Sequence, residues 1–113
     1  GMKLGIDFGT TRIVVAAADR GNYPVVSFET PDGESRDWFP PLVALRGSER
    51  RFGCDAWARQ AEPGWILVRS LKRETELAGL GTRLDLDGDD VSLMALLTGL
   101  AESLARDLRE SSN

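Results

Sequence analysis

The opening segment Leu4-Gly5-Ile6-Asp7-Phe8-Gly9-Thr10-Thr11-Arg12-Ile13-Val14-Val15 constrains the fold more than any other stretch of the chain. Leu4, Ile6 and Phe8 alternate with Lys3, Gly5 and Asp7, the period of a strand with one covered face. Ile13 to Ala18 is continuously apolar, as in a strand covered on both faces. Between them Gly9-Thr10-Thr11 must reverse the chain tightly. Such a turn gathers backbone N–H groups and two hydroxyls in one small volume beside a carboxylate. Gly9, lacking Cβ, permits a close approach by an anion. Asp7 is a hard oxygen ligand suited to a hydrated magnesium ion. The same residues equally suit an ordinary hairpin with a glycine turn.

Composition narrows the alternatives. A chain of 113 residues, 42% hydrophobic and 28% charged, has room for one small globular domain. Gly1 before Met2 reads as a tag remnant, which leaves residues 2–113 as a single domain. No apolar run approaches the ~20 residues of a membrane span, and no signal-peptide pattern opens the chain. A net charge of −4 argues against a nucleic-acid or anionic-membrane surface. Cys54 is the single cysteine, so an intrachain disulfide is excluded and a buried structural thiol is expected. With no histidine in the chain, thiol–imidazole chemistry is excluded, and the commonest zinc ligand is missing.

Further along, Pro24 to Phe28 reads as a third strand, followed by a break at Pro31-Asp32-Gly33. Leu42 to Leu45 and Arg51-Phe52 form strands around a turn at Gly47-Ser48-Glu49, with Arg46 to Arg51 a solvated hairpin. Asp55 to Ala61 is predicted as a short helix stopped by Pro63-Gly64. Trp65 to Glu76 reads as a turn of helix and then a loop. The segment from Gly79 to Gly88 is a loop with a short strand around Leu84 and Leu86. Asp87, Asp89 and Asp90 offer a cap and first-turn carboxylates for a final helix. Its apolar stripe is Met94, Leu97, Ala101, Leu104 and Leu108, widened by Leu93, Leu96 and Leu100.

Three segments now stand together with the opening motif: Pro41-Leu42-Val43-Ala44-Leu45, Phe52-Gly53-Cys54-Asp55-Ala56, and Val68-Arg69-Ser70-Leu71-Lys72-Arg73. In order and spacing they resemble the start of the nucleotide-binding domain of the DnaK-type heat-shock chaperone family, within the actin-like ATPase superfamily. The resemblance covers residue 3 to about residue 108. It implies an α/β fold of ribonuclease H-like, actin-like type. The expected parts are an N-terminal β-hairpin within a three-stranded mixed sheet and a peripheral subdomain with a C-terminal helix.

The resemblance also implies roles. Asp7 would act in catalysis by holding magnesium through water, and Gly9, Thr10 and Thr11 would line the β- and γ-phosphates of ATP or ADP. Lys72 matches the family's catalytic lysine, where an ammonium offsets charge on the transferring phosphoryl group. Read from chemistry alone, Lys72-Arg73 is a pair of surface charges; the matched context of the resemblance is what gives Lys72 a catalytic role. Potassium is a further cofactor of the family. One departure stands out: Arg12-Ile13 replaces the family's small polar or aromatic residue followed by serine.

The family implies that the parent binds unfolded polypeptides and co-chaperones in the cytoplasm and couples this to ATP hydrolysis. The second phosphate loop and adenosine pocket would lie beyond Asn113, so no tightly bound nucleotide and no turnover are expected of this fragment. In this fold the first strand normally pairs on its other edge with a strand from later in the chain. Without it, a homodimer through that edge is expected. The alternatives are a non-catalytic actin-like interaction module, or part of an actin-like filament protein or sugar kinase.

Overall fold

The computed structural model describes residues 3–69, 71–79, 81–86 and 88–111. Its first unit is the hairpin foreseen above. Strand β1 (Lys3–Phe8) pairs antiparallel with β2 (Ile13–Ala18), with Phe8 opposite Ile13 and Lys3 opposite Ala18. The Gly9 N–H donates to the Arg12 carbonyl at 2.9 Å, closing a two-residue turn of Thr10 and Thr11. A Cβ on Gly9 would lie 2.7 Å from that carbonyl oxygen, so a side chain is sterically barred there.

The expected third strand is reduced to a bridge. Residues 24–26 run beside β2, with the Val26 N–H on the Val15 carbonyl and the Ala17 N–H on the Pro24 carbonyl. Pro24 has no N–H to extend the ladder. The chain instead turns away into β3 (Phe28–Glu29), which pairs with β4 (Ser35–Arg36). The hairpin sheet is therefore two-stranded. Every strand pairing among the described residues is antiparallel, so no mixed sheet forms.

A three-stranded sheet forms in the middle of the chain, in the order β6-β5-β7 from β5 (Val43–Arg46), β6 (Glu49–Phe52) and β7 (Ile66–Val68). Residues 66–68 were expected to be helical. A short apolar run carries no period of its own, and the free edge of β5 captures it as a strand. Helix α1 (Gly53–Ala58) starts directly from β6, two residues earlier than the sequence pattern suggests, and continues as a 3₁₀ turn over Arg59–Ala61.

Gly53 makes that start possible. Its φ of +62° is a left-handed conformation, its N–H bonds the Leu42 carbonyl at 2.9 Å, and a Cβ would sit 2.0 Å from the Phe39 ring. Ala56, three residues on, is fully buried against Leu42 and Ala44. Gly53, Cys54 and Ala56 thus owe their residue types to packing, while Asp55 between them pairs with Arg51 and Arg59.

Helix α2 (Leu71–Ala78) replaces the expected loop. Leu71 anchors it in the core, the Thr75 Oγ1 donates to the Leu71 carbonyl, and Gly79 at φ +82° caps its end by donating to the Thr75 carbonyl. A hairpin of β8 (Arg83–Leu86) and β9 (Asp89–Ser92) follows. Asp89 and Asp90 therefore belong to a strand and not to a helix cap, and Arg83 grips the Asp90 carboxylate at 2.8 and 2.9 Å. Asp87 lies outside the described residues.

The cap of α3 (Leu93–Ser111) is Ser92, whose Oγ accepts from the Ala95 N–H. Its buried stripe is Leu93, Leu96, Leu100 and Leu104, while Met94 is 45% exposed and Ala101 faces outward. The expected face holds at Leu93, Leu96, Leu100 and Leu104 and at Leu97 and Leu108, which pack against the core; Met94 and Ala101 turn outward, because the leucines bury more apolar surface. One core gathers Ile13, Val15, Phe28, Phe39, Val43, Leu71, Val91 and this leucine stripe. Cys54 belongs to the same core, and burial pushes its thiol up to about 11, as expected of an inert structural cysteine. The molecule is thus a mixed α/β assembly of small antiparallel sheets and three α-helices among the described residues.

Candidate functional site

A cleft of about 670 Å³ opens where the β1–β2 turn meets α1 and the start of α2. It is lined by the apolar residues Trp38, Pro40, Pro41, Leu42 and Trp57, by Thr10 and Thr11 of the turn, and by Arg12, Arg69 and Arg73. No carboxylate lines it. Three guanidinium groups therefore converge on one cavity in a protein whose net charge is −4.

The pairing of those groups is as telling as their number. Among the described residues Arg12, Arg69 and Arg73 form no ion pair with a carboxylate. Arg69 donates to the Gln60 Oε1 at 2.8 Å, and Arg12 lies over the Trp38 ring at 4.9 Å. Trp38 and Trp57 meet edge to face at 5.2 Å, and Arg36 lies over both rings at 5.3 and 4.7 Å. The Trp38 face holds Arg12, and the Gln60 amide oxygen holds Arg69, without neutralising either. Such a cleft suits a polyanion with several oxygens, above all phosphate, which guanidinium groups bind through paired N–H donors.

The residues singled out in the sequence are distributed unevenly around this cleft. Thr10 and Thr11 line it. Gly9 carries the turn, but its N–H is spent on the Arg12 carbonyl and its bare Cα faces that same oxygen. Asp7 is an exposed residue of β1 and is not among the lining residues. Among the described residues no group of three or more His, Cys, Asp or Glu side chains could hold a metal ion. A magnesium ion would thus have Asp7 as a single protein carboxylate and take its other oxygens from water and phosphate, which fits the hydration that ion keeps. Lys72 pairs with Glu76 one turn along α2 at 3.9 Å and does not line the cleft; the neighbouring Arg73 does.

Arg69, Arg73, Trp38 and Trp57 were missed as site residues. Arg69 precedes α2 and Arg73 lies in its first turn, so no helical spacing in the sequence joins them to the site. No helix among the described residues is long and apolar enough to cross a membrane.

Comparison with known proteins agrees with the chaperone resemblance over part of the chain. No family model matches. A stretch of 73 residues, 64% of this chain, is 41% identical to a chaperone protein HscA homolog of Methylibium petroleiphilum. The chain spans about a tenth of that protein's length, since the match covers 11% of it. The similarity of this stretch is thus to a DnaK-type chaperone.

Proposed function

We propose that this chain is the opening part of a DnaK-type nucleotide-binding domain and supplies one wall of an ATP phosphate site. The cleft that combines Thr10 and Thr11 with Arg12, Arg69 and Arg73 carries the reading, because it offers hydroxyls and uncompensated guanidiniums and no acid. The 41% identity to a chaperone supports it independently. In the complete parent, ATP hydrolysis would govern binding of unfolded polypeptide and co-chaperones, in the cytoplasm. Thr10, Thr11 and the arginines would hold phosphoryl oxygens, Asp7 would hold magnesium through water, and Lys72 would have to leave Glu76 to reach the transferring group. Magnesium, when bound, offsets phosphate charge.

Magnitudes set what this wall can do by itself. Charge-assisted hydrogen bonds contribute about 1.5–3 kcal/mol each, against an association cost of roughly 4–15 kcal/mol. Micromolar binding requires about 8 kcal/mol net. Millimolar binding without turnover follows for the 113-residue chain. Calorimetric titration should show Mg-ATP and tripolyphosphate binding with similar, millimolar affinity, since the hydroxyls and guanidiniums of the lining address phosphate. Micromolar affinity for Mg-ATP, or no binding of either ligand at tens of millimolar, overturns the reading. In the complete parent, Asp7→Ala or Lys72→Ala should each lower ATP turnover about a hundredfold or more.

A second reading, a non-catalytic module with the same fold, is favoured by the Lys72–Glu76 pair and by Arg12 in the turn. Near-normal turnover in the parent Lys72→Ala variant would select it.

A further inference from the structure

We propose that Gln60 is a positioning residue of the phosphate cleft: its side-chain amide ties Arg69 to the end of α1 and leaves the guanidinium its charge. This role rests on the phosphate reading of the cleft and adds to it a residue outside the lining. Gln60 stands in the 3₁₀ turn that follows α1, and Arg69 in the short link between β7 and α2. The Arg69 Nη2 donates to the Gln60 Oε1 at 2.8 Å, and the Gln60 Nε2 donates to the Trp57 carbonyl at 3.1 Å. One side chain thus joins two segments that line the cleft through Trp57 and Arg69.

The chemistry of the two partners explains the residue type. A backbone carbonyl can only accept, and a guanidinium can only donate. The side chain that joins them needs a donor on one atom and an acceptor on another. A glutamine amide supplies both, and the two partners admit a single orientation of it. Glutamate at this position would offer the carbonyl no donor, would set negative charge at the C-terminal end of α1, and would neutralise Arg69. Lysine would offer Arg69 no acceptor.

The neighbouring acids act to the same effect. Asp55 and Glu62, both close to Gln60 in sequence, are gripped by Arg59 at 3.0 and 2.8 Å. Arg69 is left with a neutral acceptor, and its bond to Gln60 uses one nitrogen of the fork while the others remain for an anion. An arginine on an exposed link would otherwise surrender its rotamer freedom when the anion binds. The tether takes part of that loss in advance.

NMR titration of the 113-residue chain with tripolyphosphate into the tens of millimolar, followed at the Thr10 and Thr11 amides at constant ionic strength, tests the proposal. Gln60→Met keeps the reach of the side chain, removes both hydrogen bonds, and should weaken binding about threefold. In an Arg69→Ala background the same substitution should change nothing, because the group through which Gln60 acts is gone. Gln60→Glu should weaken binding about tenfold, more than Gln60→Met, by neutralising Arg69. Without ligand, the Gln60 side-chain amide resonances should move in Arg69→Ala. Circular dichroism checks that each variant keeps its fold. The positioning role is overturned, with the phosphate reading left standing, by an unchanged affinity in Gln60→Met or by an equal loss with and without Arg69. Equal losses in Gln60→Met and Gln60→Glu, or amide resonances that stay in place, overturn it too. Failure of the unaltered chain to bind tripolyphosphate overturns both.

Discussion

The protein holds two arginine–tryptophan clusters that differ in a single respect. Around Trp65 lie Arg46, Arg51 and Arg59, and each also grips an acid: Glu49 for Arg46, Glu49 and Asp55 for Arg51, Asp55 and Glu62 for Arg59. Around Trp38 and Trp57 lie Arg12 and Arg36, with Arg69 and Arg73 in the cleft lining, and of these only Arg36 reaches a carboxylate, that of Glu34. Both clusters use the same stacking physics. The first has satisfied its charge internally and is architecture; the second keeps unspent positive charge facing solvent. Counting arginines would not separate them, whereas following each guanidinium to its partner does.

Gly53→Ala should break the comparison outright. The added methyl would strike the Phe39 ring beside Trp38, at the start of the helix that carries Trp57, and the backbone is left-handed there. A loss of more than about 3 kcal/mol in urea unfolding is expected, with both clusters disordered together. Next in size, Arg12→Ala and Arg73→Ala should each weaken tripolyphosphate binding roughly tenfold in calorimetry, while Arg46→Ala leaves it unchanged. Equal losses in all three variants would erase the distinction.

Arg51→Ala has a smaller expected effect and concerns stability alone. It removes two partly exposed ion pairs and should cost about 0.5–1 kcal/mol, shrinking in molar salt. Arg59 holds its proton more tightly than an ordinary arginine because it donates to Glu62 beside Asp55.

The least change is expected at Asp107, in α3. Burial, reinforced by the nearby negative charge of Glu110 and Asp55, raises its carboxyl above the ordinary carboxylate range. A folded-state value above the unfolded one favours the protonated form, so this contribution is present at low pH and is lost as pH rises through the folded value. Asp107→Asn should stabilise the protein at neutral pH by about half a kcal/mol or less, because the exposed part of the side chain is screened, and should flatten acid-range stability.

The legible parts of this structure are those decided locally. The β1–β2 hairpin follows from alternation and a turn in which Gly9 has no room for a side chain. The final helix is legible as an element and in its leucine stripe, with Met94 and Ala101 the departures from the expected face, and its Gly99 leaves room for the Phe52 ring, which a Cβ would approach to 2.3 Å.

The missed elements depend on partners far along the chain. Ile66–Val68 is a strand because β5 had an open edge, and Leu71–Ala78 is a helix because one buried leucine anchors an otherwise charged segment. The candidate site divides in the same way. Thr10 and Thr11 announce themselves in a turn, whereas Trp38, Trp57, Arg69 and Arg73 meet only after the middle sheet and two helices have brought them together.

All three tryptophans of the chain lie against guanidinium groups, two in one cluster and one in the other. The protein therefore carries its own optical reporter. An anion that draws Arg12 off the Trp38 indole changes the emission of that ring, while Trp65, clamped among satisfied charges, supplies a steady internal reference. Occupancy of the cleft becomes visible in unlabelled protein, and a Trp38→Phe variant identifies which ring is speaking.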